Sequence, residues 1–266
     1  MTKLAANLTM LFNEVDFLDR FGEAAKAGFK GVEFLFPYAF EAGRIAEQLD
    51  KHRLQLVLHN LPAGNWEAGE RGIACDPARS GEFQDGVGKA IAYAKALGVK
   101  QLNCLVGIKP ANVTDAQAYG AVVDNLRFAA KALQAQDIGL LIEPINNFDI
   151  PGFYLNGTEQ ALGIIAETGS YNIKVQYDIY HMQRMEGEIT ATIQKNLAKI
   201  GHIQLADNPG RFEPGTGEIN YRYLLAMLDE IGYTGWVGCE YKPKDGTLNG
   251  LKWIAEHGIQ QDGIQQ

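Results

Sequence analysis

Four oxygen-bearing residues stand at or near the ends of short apolar runs: Glu143 closing GLLIE, Asp178 closing 173–178, Gln204 in 201–206 and Glu240 in 235–241. If those runs are parallel strands of one sheet, three carboxylates and one amide oxygen meet at one point. Gathering three carboxylates in a low-dielectric interior costs several kcal/mol unless a cation offsets them. The donors are all oxygen, with no thiolate, which favours Mg²⁺ or Mn²⁺ over structural Zn²⁺ and leaves positions open for a substrate. Any one of these residues alone reads as a loop-anchoring carboxylate or a satisfied core amide. The expectation rests on their occurring together on four successive runs. A further run, 54–59, ends in His59 followed by Asn60.

The runs that must position these residues alternate with helical patterns along the whole chain. Strands are expected at 4–8, 31–36, 54–59, 100–106, 139–143, 173–178, 201–206 and 235–241. Helical periodicity covers 16–27, 40–52, 83–97, 115–136, 158–168, 189–198, 221–231 and 248–257. Eight β→α units in order predict an α/β chain folded as a single (β/α)₈ barrel, a TIM barrel. An open doubly wound sheet is the rival, but the chain has neither G-x-G-x-x-G nor G-x-x-x-x-G-K-[ST]. Gly28, Gly98, Gly139 and Gly232 stand where helices should stop, as glycines suited to the residue after a helix end. One barrel domain is expected over 1–258, with 259–266 as a frayed tail. The long connections 61–80 and 144–157 would lie on the C-terminal face, where barrels bind substrate.

The length of 266 residues suits one such barrel. A net charge of −8, without a Lys/Arg cluster, disfavours nucleic acid and anionic membrane surfaces as partners. Cys75, Cys104 and Cys239 are odd in number and widely spaced, which predicts reduced core thiols. No apolar stretch is long enough for a membrane span, and the N-terminal residues lack a secretory signal, so the cytoplasm is expected. A homo-oligomer would need an apolar patch between barrel helices, and the sequence does not locate one.

The segments IEPIN (142–146), QYDIYHMQ (176–183), HIQLADNP (202–209) and GCEYKP (238–243) resemble hydroxypyruvate isomerases. VEFLFPY (32–38), LHNLPAG (58–64) and GTGEINY (215–221) do so too, and the likeness spans nearly the whole chain. The resemblance implies a xylose-isomerase-like TIM barrel with sugar epimerases and endonuclease IV as distant relatives. It implies a divalent metal on Glu143, Asp178, Gln204 and Glu240, with Glu143 and Glu240 as the proton-transfer pair. It also implies a place in glyoxylate metabolism.

The implied reaction interconverts hydroxypyruvate and tartronate semialdehyde through an enediolate. It needs a base, an acid and charge stabilisation at two oxygens. The small-molecule substrate carries a carboxylate, for which His59, Arg71, His181, Arg211 and Lys242 are the candidate contacts. Within enzymes, the alternative is a related isomerase or epimerase acting on a four-carbon keto acid (2-oxo-tetronate) or a ketose. A DNA-repair endonuclease on the same barrel would want more histidines than the five present and a basic face. In a non-catalytic binding barrel the carboxylates would only hold a structural ion, and a retaining glycosidase, with its carboxylate pair, would not need Asp178 and Gln204 beside it.

Overall fold

The computed structural model describes residues 2–256. Eight parallel strands close into one barrel in chain order: β1 (Lys3–Asn7), β2 (Gly31–Glu33), β3 (Gln55–Asn60), β4 (Gln101–Cys104), β5 (Gly139–Ile142), β6 (Ile173–Asp178), β7 (Ile200–Leu205) and β8 (Trp236–Cys239). Closure is made by β1 against β8, with Ala5 opposite Gly238 and Ala6 opposite Cys239. The outer helices are α1 (Phe17–Lys26), α2 (Ala42–His52), α3 (Ser80–Leu97), α4 (Asp115–Gln134), α5 (Thr158–Thr168), α6 (Ile179–Met185), α7 (Ile189–Asn196), α8 (Tyr221–Glu230) and α9 (Lys252–Glu256). The expected (β/α)₈ barrel is thus the observed architecture, and the expected tail at 259–266 lies outside the described residues.

The strands are buried on both faces, as parallel barrel strands must be, which is why they read as mainly apolar runs, interrupted in β6 and β7 by Lys174, Gln176, His202 and Gln204. Most of the core lies between the sheet and the helices, where Phe21, Ile45, Leu126 and Ile164 are fully buried. Each such side chain contributes about 1.5–3 kcal/mol by leaving water. A smaller cluster of Ala5, Val57, Leu58 and Leu141, with Trp236 against it, fills the barrel interior. Gly31 makes room for that indole: a Cβ there would lie 2.7 Å from the Trp236 ring.

Three local details depart from the sequence expectation. Helix α6, where the sequence shows no helical period, starts directly after β6, because the Asp178 carboxylate accepts from the Tyr180 N–H at 2.9 Å and caps it. Strand β2 stops at Glu33 instead of running to 36, after a register shift between Val32 and Glu33. Gly28, Gly98 and Gly232 have positive φ where helices stop, but Gly139 is already in β5. Past α4 the left-handed residue is Asp137, at φ 58°. Cys75, Cys104 and Cys239 are buried free thiols, as expected.

Candidate active site

The C-terminal ends of the strands enclose a cavity of about 440 Å³ lined by Glu143, Asp149, Gln176, His181, Gln204, Arg211 and Glu240 among others. Strand direction explains the convergence: side chains at the last inward positions of neighbouring strands point to one axis. Glu143 follows β5, Asp178 ends β6, Gln204 lies in β7 and Glu240 follows β8. All four are buried.

The carboxylates are held by amides and one guanidinium. Glu143 accepts from Asn103 at 2.8 Å and from Gln176 at 2.9 Å. Gln176 also donates to the Gln204 oxygen at 2.7 Å. Glu240 accepts from Arg211 at 2.7 Å, from Asn7 at 3.3 Å and from the Gln204 nitrogen. The same Arg211 nitrogen lies 3.4 Å from Asp178.

Burial sets the proton affinities. It pushes Asp178 up to about 6, against the opposing pull of Arg211 and backbone N–H groups. It raises Glu240 to about 8, with Asp178 and Glu33 adding to burial and Arg211 opposing it. Glu143 is raised well above the usual carboxylate range by burial and by the neighbouring charges of Glu240 and Asp178. Burial disfavours charge on Arg211, but Glu240, Asp178 and Glu143 outweigh it and raise its pKa.

His181 has a defined tautomer. The Asn146 oxygen accepts from the backbone of Phe148 and Asp149 at 3.0 and 2.9 Å, so its nitrogen is the end facing His181 Nδ1, at 2.6 Å. Nδ1 therefore accepts, and Nε2 carries the hydrogen. That N–H faces Asp178 at 3.5 Å and Glu143 at 3.9 Å. Burial and the nearby Arg211 and Arg184 hold the ring neutral.

Glu143, Asp178 and His181 each place one ligand atom within 4.8 Å of the others, so they could hold a metal ion. The Asn146 contact argues that His181 is a donor there and not a ligand. The remaining observations fit a cation among the acids. Three buried carboxylates face one guanidinium, and the oxygens of Asn103 and Gln176, the two amides that donate to Glu143, are buried without a donor.

The candidate substrate contacts divide. Arg71, His181, Arg211 and Lys242 line the cavity. Arg71 stacks on Trp66 at 4.0 Å and donates to the Trp66 carbonyl at 2.9 Å. His59 does not reach the cavity. It is buried beside Phe34, with Nδ1 3.1 Å from the Asn60 carbonyl, while Leu58 and Asn60 line the cavity on either side of it in sequence. Alternation along β3 points His59 outward, so its expected role is corrected. The sequence reading missed Asn7, Glu33, Asn103 and Gln176, although each is a polar residue in a strand that is otherwise largely apolar. It also missed Arg184, which α6 carries to the cavity and which pairs with Asp149 at 2.5 Å.

A closed parallel barrel with a buried acidic centre at its C-terminal mouth defines the class, and the chain belongs to the xylose isomerase-like TIM barrel family, whose model matches residues 21–257. It is 58% identical to the hydroxypyruvate isomerase of Escherichia coli (strain K12) over 254 residues, covering 96% of this chain and 98% of that protein. It is 45% identical to a 2-oxo-tetronate isomerase of Cupriavidus necator over 254 residues, covering 96% and 98%. A crystal structure from Brucella melitensis, described as an AP endonuclease of family 2, superposes with a TM-score of 0.94 at 44% identity, covering 96% of this chain and 99% of that one.

Proposed function

We propose that this chain is a hydroxypyruvate isomerase, interconverting hydroxypyruvate and tartronate semialdehyde. The observation that carries the reading is the buried carboxylates of Glu143 and Glu240 lining one cavity, with Asp178 beside them and the Arg211 guanidinium paired to Glu240 and Asp178. The 58% identity to the Escherichia coli enzyme supports it. The reaction moves a carbon-bound proton between neighbouring carbons, and a hydroxyl proton between their oxygens, through an enediolate.

Glu143 and Glu240 act as the proton-transfer pair, exchanging base and acid roles with direction. In the metal-free site burial raises the proton affinity of both carboxyls, and a bound divalent cation would lower it again, towards the ionised form that a base needs. Pro144 restricts the Glu143 backbone to extended conformations and steadies the side chain's direction. Glu143, Asp178, Gln204 and Glu240 would hold a Mg²⁺ or Mn²⁺ ion. Such an ion supplies Lewis-acid stabilisation to adjoining substrate oxygens, worth several kcal/mol. The His181 Nε2–H donates to a substrate oxygen as it gains charge. Arg71, Arg211 and Lys242 offer the cationic side of the cavity to the substrate carboxylate. A cytoplasmic place in glyoxylate metabolism goes with this reading.

A second reading has its own support. A cavity of about 440 Å³ is more than a three-carbon acid fills, and the Cupriavidus necator relative is a 2-oxo-tetronate isomerase. A four-carbon keto acid is therefore the alternative substrate. The endonuclease name of the Brucella melitensis protein has less support here, because a net charge of −8 repels a phosphate backbone. The test compares turnover of hydroxypyruvate and 2-oxo-tetronate, each with Mn²⁺ and with a chelator. Hydroxypyruvate should turn over faster and the chelator should stop it. Hydroxypyruvate left inert while the tetronate reacts would move the assignment to the second reading, and inertness of both would end the isomerase reading.

A further inference from the structure

Glu33 is fully buried at the end of β2, and neither the proton transfer nor the ligand set uses it. It reaches across the barrel. Its Oε1 accepts from the Gln204 nitrogen at 2.7 Å and from the Asn7 nitrogen at 2.9 Å. Its Oε2 lies 2.7 Å from His202 Nε2. Every partner can donate. Space for the carboxyl is made by Gly238, the register partner of Gln204 on β8, where a Cβ would lie 2.3 Å from Glu33 Oε1.

We propose that Glu33 is a positioning residue that decides which end of the Gln204 amide faces the metal centre. A glutamine can serve as a metal ligand through its oxygen only, yet its two ends have nearly the same shape and either could turn inward. On the β2 side Gln204 meets Glu33 and on the β8 side Glu240, both of them acceptors, and its nitrogen donates to both. The oxygen is left on the side of Gln176 and Glu143. Glu33 is thus an acceptor that breaks the amide's symmetry from behind, the task outer residues perform for metal ligands. Asn7 completes the arrangement, spanning from Glu33 to Glu240 through one nitrogen.

This inference rests on the reading of Gln204 as a ligand, and the test separates the two. Mn²⁺ alone is titrated by calorimetry into wild type, Gln204→Ala, Glu33→Gln and Glu33→Asp, and the Glu33 changes are repeated in a Gln204→Glu background. Orientation predicts that Glu33→Asp, which draws the acceptor back, loosens Mn²⁺ by about 10–100-fold, and that Glu33→Gln, which keeps one acceptor oxygen, loosens it less. Glu33→Asp keeps the charge but draws the acceptor back, so a role through charge alone predicts loss only in Glu33→Gln. In the Gln204→Glu background the two ligand oxygens are equivalent and there is no amide to reverse, so the Glu33 changes should not loosen Mn²⁺ by more than about threefold. Unfolding temperatures of the metal-free variants identify any that fail to fold, and Glu33→Asp carries the test where Glu33→Gln does not fold. Mn²⁺ affinity within threefold of wild type in Glu33→Asp, or equal losses in both backgrounds, overturns the inference. No Mn²⁺ binding to wild type, or none lost in Gln204→Ala, overturns the ligand reading instead.

Discussion

The Nη2 nitrogen of Arg211 lies 2.7 Å from Oε1 of Glu240, and the same nitrogen lies 3.4 Å from Oδ2 of Asp178. The guanidinium covers a face of both carboxylates that a divalent cation would share. Two cations cannot hold the same oxygens at close range without strong repulsion in a buried site. Arg211→Gln should therefore bind Mn²⁺ about tenfold tighter, on the order of 1.4 kcal/mol. It should also lose about 100-fold in kcat/KM, because a cationic contact for the substrate carboxylate goes with it. Calorimetry and steady-state kinetics on one preparation check the pair. Weaker Mn²⁺ binding in that variant would mean that Arg211 supports the metal instead of competing with it.

The raised carboxylates make a prediction about pH. For an acid whose folded pKa is raised, the folded state holds its proton more tightly than the unfolded chain. The resulting stability is present at low pH and is lost as pH rises through the folded pKa. Burial raises Asp178 to about 6 and Glu240 to about 8. Metal-free protein should thus lose stability as pH rises from about 4 to about 8, and added Mn²⁺ should oppose that loss. Metal binding near pH 7 should release protons, and affinity should climb until pH passes about 8. Thermal unfolding with and without chelator, and calorimetry in buffers of different ionisation enthalpy, measure both. A binding heat that does not depend on the buffer would contradict the assignment.

Glu143→Gln and Glu240→Gln should each lower kcat by about 10²–10⁴-fold, the usual contribution of a positioned acid or base. The fold should persist, since glutamine keeps the volume and can still accept one hydrogen bond from Asn103 or Arg211. Circular dichroism and turnover of hydroxypyruvate decide it. Full activity in both variants would assign proton transfer elsewhere, with His181 the first group to test.

The strand ends explain both what could be read from the sequence and what could not. Glu143, Asp178, Gln204 and Glu240 were legible because an ionisable or amide group stands where an apolar run stops. His59 misled for the same reason: it is the last ionisable group of its run, but the two-residue alternation of β3 sends Leu58 and Asn60 to the cavity and His59 to Phe34. Glu33 was passed over because GVEFLF reads as core, and only the barrel geometry, with Gly238 opposite, shows the space its carboxyl fills. The helix α6 was hidden because Asp178 both ends a strand and caps a helix, and seven residues are too few to show a helical period. The stop of α4 fell on Asp137, since a left-handed residue need not be glycine.

The loop that carries Arg211 hangs on Asp207. This buried carboxyl accepts four backbone N–H groups: Asn208 at 2.9 Å and Ile219 at 3.1 Å on one oxygen, and Gly215 at 2.8 Å and Gly217 at 2.9 Å on the other. Arg211 sits inside that span in a left-handed conformation, φ 58°, which a side-chain-bearing residue adopts at a cost of about 1–2 kcal/mol. The hydrogen bonds around it must hold that conformation. Asp207→Ala removes all four acceptor contacts, and at roughly 1 kcal/mol each, less what water recovers, stability should fall by about 2–4 kcal/mol. Asp207→Asn keeps one oxygen and should lose about half as much. Because the loop also sets Arg211, KM for hydroxypyruvate should rise in both variants, in the order of their stability losses. Urea unfolding and steady-state kinetics provide the two scales. A variant that loses the stability but keeps the wild-type KM would show that Arg211 is placed by its ion pairs with Glu240 and Asp178 and not by the loop.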